Sequence, residues 1–265
     1  MKPLLILIFM VKPLVSAFEY SGSDVILQGS SESVVASDHL YSAYLINPAS
    51  SAMVDKYQLG ILYFHPFGLS EVHYGGLIGQ VRAGNFGSGL TITSFGNELY
   101  QENQLVGNIA RAFFNTRLSV GLNLRWKYLT VQNYFSSHQF GIDAGIQYFL
   151  HPGILMGFSI QNLNQPSRMQ EENPLITRWG MAIRLGENFH TYFSFEKDSW
   201  FPASLRIGIE ARVSRMLTLH SGMSSYPAVP SLGMTLRRNM VAIHYAFQYH
   251  FDLGGTHFWG ISLRP

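Results

Sequence analysis

The chain has 265 residues, 47% of them hydrophobic and only 13% charged, and it contains no Cys. Charged residues stand at about half their usual share, and the missing thiols exclude disulfides and thiolate metal centres. The formal net charge is +2, and with Lys2 and Lys12 set aside 16 basic and 16 acidic residues remain. Such a balance gives no basic face for nucleic acid.

In chain order, Met1 to Ala17 read as an export signal. Lys2 supplies a short positive region, Leu4 to Val11 an apolar run, and Val15-Ser16-Ala17 a small-residue cleavage site. The run is too short to span a bilayer as a helix, and nothing after it approaches the roughly 20 apolar residues a helical span requires. Residues 18–54 follow without clean alternation. Within them Pro48 biases Asn47 away from the helical region, and the Asn47 side chain can bond neighbouring backbone. Two readings fit: a segment folded inward as a plug, or a periplasmic tail.

From residue 55 onward the pattern is strand after strand. In Arg117–Leu129, the apolar Leu118, Val120, Leu122, Leu124, Trp126 and Tyr128 alternate with Ser119, Gly121, Asn123, Arg125 and Lys127. Period-two alternation marks a β-strand with two unlike faces. Similar segments run over 56–65, 69–81, 84–95, 104–113, 116–130, 138–150, 153–163, 174–186, 189–198, 203–213, 216–224, 229–238, 239–250 and 256–264. Most reach the nine or so residues that a tilted strand needs to cross a bilayer. The links between them alternate short and long, as in outer-membrane barrels with short periplasmic turns. Closure is required because lipid cannot satisfy a free strand edge. The expected fold class is therefore all-β: a single closed antiparallel transmembrane β-barrel of about fourteen strands, with an N-terminal hatch or plug segment. The corresponding division is 1–17 signal, 18–54 hatch and 55–265 barrel, and the expected location is the bacterial outer membrane. A secreted β-sandwich would also alternate, but with shorter strands and more charge on its wet face.

Alternation turns Arg125, Lys127, Asp143, Arg178, Arg184, Glu196, Arg206, Glu210 and Arg212 toward the lumen. Mixed signs fit either internal salt bridging or a polar track for a substrate. The four Trp residues and the Tyr residues fit an interfacial girdle or simple strand propensity. Signals for catalysis are weak. The ten His residues lack metal-binding spacing, no nucleophile elbow or phosphate loop occurs, and neither a cofactor nor a metal is predicted. His220 with Ser194 or Ser221 can be imagined as the pair of a barrel hydrolase, although any His in a barrel has that chance.

Four stretches carry a family resemblance: "SAYLINPASSAM", "GLNLRWKYL", "GIDAGIQYFLHPGILMGFSIQNLNQP" and "HYAFQYHFDLGGTHFWGISLRP". Together they resemble the FadL-like outer-membrane barrels, and most closely the PorV/PorQ-like proteins associated with type IX secretion. The resemblance places Asn47, Pro48 and Ala49 on the hatch motif and Asn162 on the "QNL" position. It implies fourteen strands and outer-membrane lipid as the surroundings. It also implies hydrophobic small molecules or secretion-system and cargo proteins as partners. A scaffold barrel that binds a partner through its loops is the alternative from a different class. At this length, little chain is left for large extracellular loops.

Overall fold

The computed structural model describes residues 24–54, 57–165, 167–168 and 171–264, so the expected export signal lies outside the described residues. Fourteen strands close a barrel: β1 (Tyr57–His65), β2 (His73–Ala83), β3 (Phe86–Gly96), β4 (Tyr100–Phe113), β5 (Leu118–Val131), β6 (Phe135–His151), β7 (Ile154–Gln161), β10 (Ile176–Leu185), β11 (Phe189–Asp198), β12 (Ser204–Arg212), β13 (Leu217–Ser225), β14 (Ala228–Arg238), β15 (Val241–His250) and β16 (Gly254–Leu263). A two-stranded ribbon, β8 (Ser167–Arg168) with β9 (Glu171–Glu172), sits between β7 and β10. Every barrel neighbour is antiparallel, and β1 pairs with β16 from Leu59↔Leu263 to His65↔His257.

The period-two pattern fixes which face each strand buries. On β5, Leu124 is 65% exposed while its neighbours Asn123 and Arg125 are buried. Ile109, Leu205 and Leu232 are likewise exposed on β4, β12 and β14. The outside is thus an apolar belt around the whole barrel, a surface that water does not tolerate and lipid does. Trp126, Trp179 and Trp259 stand on that outside, with Trp126 stacked on His138 at 5.7 Å and Trp259 near Tyr245 at 4.7 Å. The chain is a transmembrane β-barrel of the bacterial outer-membrane type.

Loop lengths differ from the sequence expectation. Links after β3, β5, β13 and β15 shrink to two or three residues, because β4 begins at Tyr100 and β6 at Phe135. The polar starts of these strands obscure the alternation that marks their middles. Three longer links remain, 66–72, 162–175 and 199–203, and all lie at one end. By the rule of short periplasmic turns this end faces outward.

Residues 24–54 lie inside the barrel. They form one helical turn (Val25–Gly29) and two short 3₁₀ helices (Ala43–Leu45 and Pro48–Ala52), with almost every residue buried. The wall makes room for them with glycine. A Cβ on Gly121 would strike the Pro48 carbonyl, one on Gly145 would strike Asn47 Oδ1 and Pro48, and one on Gly157 would strike the Val35 carbonyl. Inward positions that would otherwise fill the lumen are left empty of side chain, and the segment's main chain occupies the space.

Candidate functional site

The inner segment has two faces, and a cavity lies against each. The outward cavity, about 530 Å³, has Glu32, Leu45 and Ile46 of the segment at its floor. Its walls carry Lys127, Arg178, Glu196 and Arg206 beside Phe67, Phe201, Tyr226 and Leu253. The cavity on the opposite side, about 500 Å³, touches Ile26, His39, Leu40 and Tyr41 of the segment. Arg212, Arg237, His220 and His244 are among its other walls.

Asn47, Pro48 and Ala49 sit at the middle of the segment and are buried. Asn47 Oδ1 accepts from the Ala49 N–H at 3.1 Å, which caps the 3₁₀ turn that Pro48 opens. Asn47 Nδ2 donates to the Val35 carbonyl of the same segment at 2.7 Å and to the Ile146 carbonyl of the wall at 3.2 Å. One side chain therefore shapes the turn and ties it to β6.

The wall opposite answers with a row of inward polar groups. Asn108 Nδ2 donates to the Pro48 carbonyl at 3.0 Å, and Asn123 Nδ2 to the Tyr44 carbonyl at 2.9 Å. Arg125 Nη2 donates to the Leu45 carbonyl at 2.7 Å while its Nε is ion-paired with Asp143. The other Asp143 oxygen accepts from the Asn162 N–H at 3.0 Å. Asn162 has φ of +58°, a left-handed conformation that Asn tolerates better than most residues. It turns the chain out of β7, whose eight residues make it the shortest barrel strand. Asn164 then covers part of the exposed β6 edge, accepting from the Ile142 N–H at 2.9 Å and donating to the Phe140 carbonyl at 2.7 Å.

The remaining lumen charges fall into two further groups. On the outward side Glu196 accepts from Arg178 at 2.5 Å and from Arg206 at 2.6 Å, and Arg206 reaches Glu32 of the segment at 2.8 Å. Lys127 is buried at the edge of the same cavity. On the other side Arg184 meets Asp38 at 2.8 Å, and Glu210 meets His39 at 3.1 Å. Arg212 stands exposed at its strand end and joins neither group through a salt bridge. The structure thus gathers eight of the nine predicted lumen charges into three clusters, each of which touches the inner segment or a cavity beside it.

Burial alone would push the His39 imidazole below its usual range. The carboxylates of Glu210 and Asp38 outweigh this and raise its pKa to about 10. Asp24, at the start of the described segment, moves up because it is buried, although Ser42 (2.6 Å) and Tyr41 (3.2 Å) donate to it.

Neither imagined Ser–His pair exists. His220 Nε2 faces Thr235 at 3.1 Å, Ser221 donates to the Ser231 carbonyl, and the Ser194 hydroxyl has no hydrogen-bond partner among the described residues. Residues that sequence reasoning passed over include Asn108, Asn123 and the inward glycines. Their signal was available as Gly and Asn recurring on the polar face of successive strands.

No protein-family model and no curated protein matches the chain. Solved structures do. The toluene transporter TbuX of Ralstonia pickettii superposes with a TM-score of 0.70 at 11% identity, covering 93% of this chain and 97% of that one. The Pseudomonas putida toluene transporter TodX gives 0.64 at 12% identity over 91% and 96%. A FadL homologue from Pseudomonas aeruginosa gives 0.62 at 12% identity over 91% and 95%. At such identities the likeness establishes architecture, and the architecture is that of the FadL-type outer-membrane barrels.

Proposed function

We propose that the protein is an outer-membrane channel for small hydrophobic or amphipathic molecules, gated by residues 24–54. The observation that carries this reading is the position of the segment. It lies between two cavities and is seated on inward glycines rather than on a packed wall of side chains. A barrel that served only as a scaffold could fill its own lumen with large side chains. Here the wall is hollowed and a separate piece of chain fills it.

The outward cavity is the entry site in this reading. Its volume suits one small ligand. The aromatic and aliphatic side chains would take an apolar body, and the Arg178–Glu196–Arg206 cluster would orient a polar end. The early end of β7 at Gln161, beside that cavity, marks the region of the wall where a ligand would leave toward lipid. The structural neighbours TbuX and TodX are toluene transporters by name, which agrees with a hydrophobic cargo. A PorV/PorQ-like role in type IX secretion finds less support, since most outward links are two or three residues long and offer little surface for a protein cargo.

The test is conductance in planar bilayers, with refolded intact protein and with a version lacking residues 18–52. A silent intact barrel and a conducting truncated one support the gate. If both are silent, the lumen is closed by the wall itself and the scaffold reading replaces this one.

A further inference from the structure

Three imidazoles converge on one carboxylate at the junction between the inner segment and the wall. His39 belongs to the segment, His190 to β11, Glu210 to β12 and His220 to β13. His39 Nε2 is 3.1 Å from Glu210 Oε2, His190 Nδ1 is 3.7 Å from Oε1, and His220 Nδ1 is 3.9 Å from Oε2. The ligating atoms of His39, His190 and Glu210 all lie within 4.8 Å of one another. Two donors on a tetrahedral zinc ion stand about 3.4 Å apart, as follows from metal–ligand bonds of about 2.0–2.2 Å. The set is therefore close to coordination spacing as it stands.

The hydrogen bonds around the cluster have the polarity that a cation needs. Asp38 Oδ1 lies 3.1 Å from His39 Nδ1, so both ring nitrogens of His39 face carboxylates. A metal ion between His39 and Glu210 would take the place of the Nε2 proton, while the ring keeps its Nδ1 N–H toward Asp38 and offers the Nε2 lone pair. A carboxylate behind a ligating histidine is the usual outer partner of a zinc site, and the position between Nε2 and Glu210, 3.1 Å apart, is one where a divalent cation would compete with a proton. His220 is fixed in a matching way. Its Nε2 meets Thr235 Oγ1 at 3.1 Å, that hydroxyl meets His244 Nδ1 at 2.9 Å, and His244 Nε2 meets Ser262 at 2.7 Å. If each member donates to the next, the chain keeps the His220 proton on Nε2. Its Nδ1 is then a lone pair, buried and without a hydrogen-bond partner among the described residues. His190 Nε2 accepts from Arg184 Nε at 3.1 Å, so ligation by His190 requires Arg184 to turn away. That side chain is 43% exposed and has the freedom to do so.

We propose that His39, His190 and Glu210, with His220 as fourth ligand, form a site for a zinc-class divalent cation that fastens the inner segment to the wall. Imidazole and carboxylate together favour zinc and its neighbours over calcium or magnesium, which prefer all-oxygen sites. His39, Glu210 and His220 line the cavity of about 500 Å³ on the periplasmic side, which gives the ion a way in. The binding itself follows from the geometry alone; only its consequence for opening rests on the gating role proposed above.

The test is a titration of the full refolded chain, without a histidine tag, with zinc by calorimetry and with cobalt by absorption. One ion per chain is expected, with tetrahedral cobalt bands, and H39Q should weaken affinity by about tenfold or more. E210Q should do the same, while H65Q at the outward end leaves it unchanged. Should E210Q fail to refold, H39Q decides, because His39 lies on the segment and outside the barrel wall. Absence of stoichiometric binding overturns the site, and so does binding that H39Q leaves intact, which would mean adventitious surface histidines only. Both results are independent of whether the barrel conducts.

Discussion

The inner segment is held differently on its two sides. Against β4–β6 it is gripped through its main chain: Asn108, Asn123 and Arg125 donate to the carbonyls of Pro48, Tyr44 and Leu45, all in buried surroundings. Against β11 and β12 it is met mainly through side chains, with His190 stacked on His39 and one main-chain contact from Arg206 to the Ser31 carbonyl. Arg206 pairs with Glu32 and Glu210 with His39, at the borders of the two cavities. Main-chain acceptors cannot be protonated or turned away, whereas partly wet ion pairs can be screened and exchanged. The difference marks β4–β6 as the anchor of the segment and β11–β12 as its releasable latch.

The largest effect should come from filling a glycine seat on the anchor side. Gly145→Val places carbon where Asn47 Oδ1 and Pro48 now lie. Overpacking of this kind costs about 1–3 kcal/mol or more, and it strikes the residue that both caps the turn and ties it to β6. Because the chain has no Cys, Ser50→Cys provides a single buried reporter. Gly145→Val should turn maleimide labelling of Ser50→Cys from slow to fast and make the barrel conduct. If labelling stays slow, the anchor is elsewhere. Next in size is Asp143→Leu, which strands the buried Arg125 guanidinium without its partner. Losing one member of a buried pair costs about 3–5 kcal/mol, but Arg125 and Asp143 both belong to the wall, so only part of that cost falls on docking, and the same labelling assay should rise nearly as far. Changing both residues, Arg125→Met with Asp143→Leu, should recover part of the loss.

These anchor residues also show how far the sequence could be read. The wall was legible because one physical constraint, lipid outside and a polar lumen inside, acts at every second residue, as from Leu118 to Tyr128. Arg125 and Asp143 could be placed on the inward face by parity alone. Their pairing needed β5 beside β6 in register, with Asn123 opposite Asp143, which alternation does not encode. Gly121, Gly145 and Gly157 were visible on the polar face, yet their meaning depended on what fills the lumen. The histidines at 39, 190 and 220, which meet at Glu210, looked scattered because the barrel brings together segments far apart in the chain. Strand ends at Tyr100 and Phe135 were missed because polar residues outside the membrane need not alternate.

On the latch side the effects should be smaller. Arg206→Gln removes the contact to Glu32 and leaves Glu196 its bond to Arg178. A partly exposed pair is worth about 1 kcal/mol or less, so the open fraction in bilayers should rise by up to about fivefold. Raised salt should mimic this variant and leave the anchor variants unchanged. An Arg206→Gln barrel as open as Gly145→Val would reverse the assignment of anchor and latch.

The smallest effect belongs to Asp24, whose carboxyl is buried and shifted upward. A group with a higher pKa in the docked state binds more protons there than when released. Docking is then strongest below the ordinary carboxyl range, near the reference value of 3.8. It weakens as pH rises through the docked pKa and stays constant above it. Asp24→Asn keeps an acceptor for one of the Ser42 and Tyr41 hydroxyls, turns an NH2 donor to the other, and removes the charge. Open fractions of wild type and variant, recorded between about pH 3.5 and 8 and subtracted, should isolate this contribution from the His39–Glu210 pair, which is present in both. The wild type should open more than the variant at neutral pH, and the two should converge in acid. Equal opening across the range would mean that Asp24 is not desolvated in the docked segment. The start of the segment would then be wet, and the burden of closure would fall wholly on the anchor at Asn47, Pro48 and Ala49.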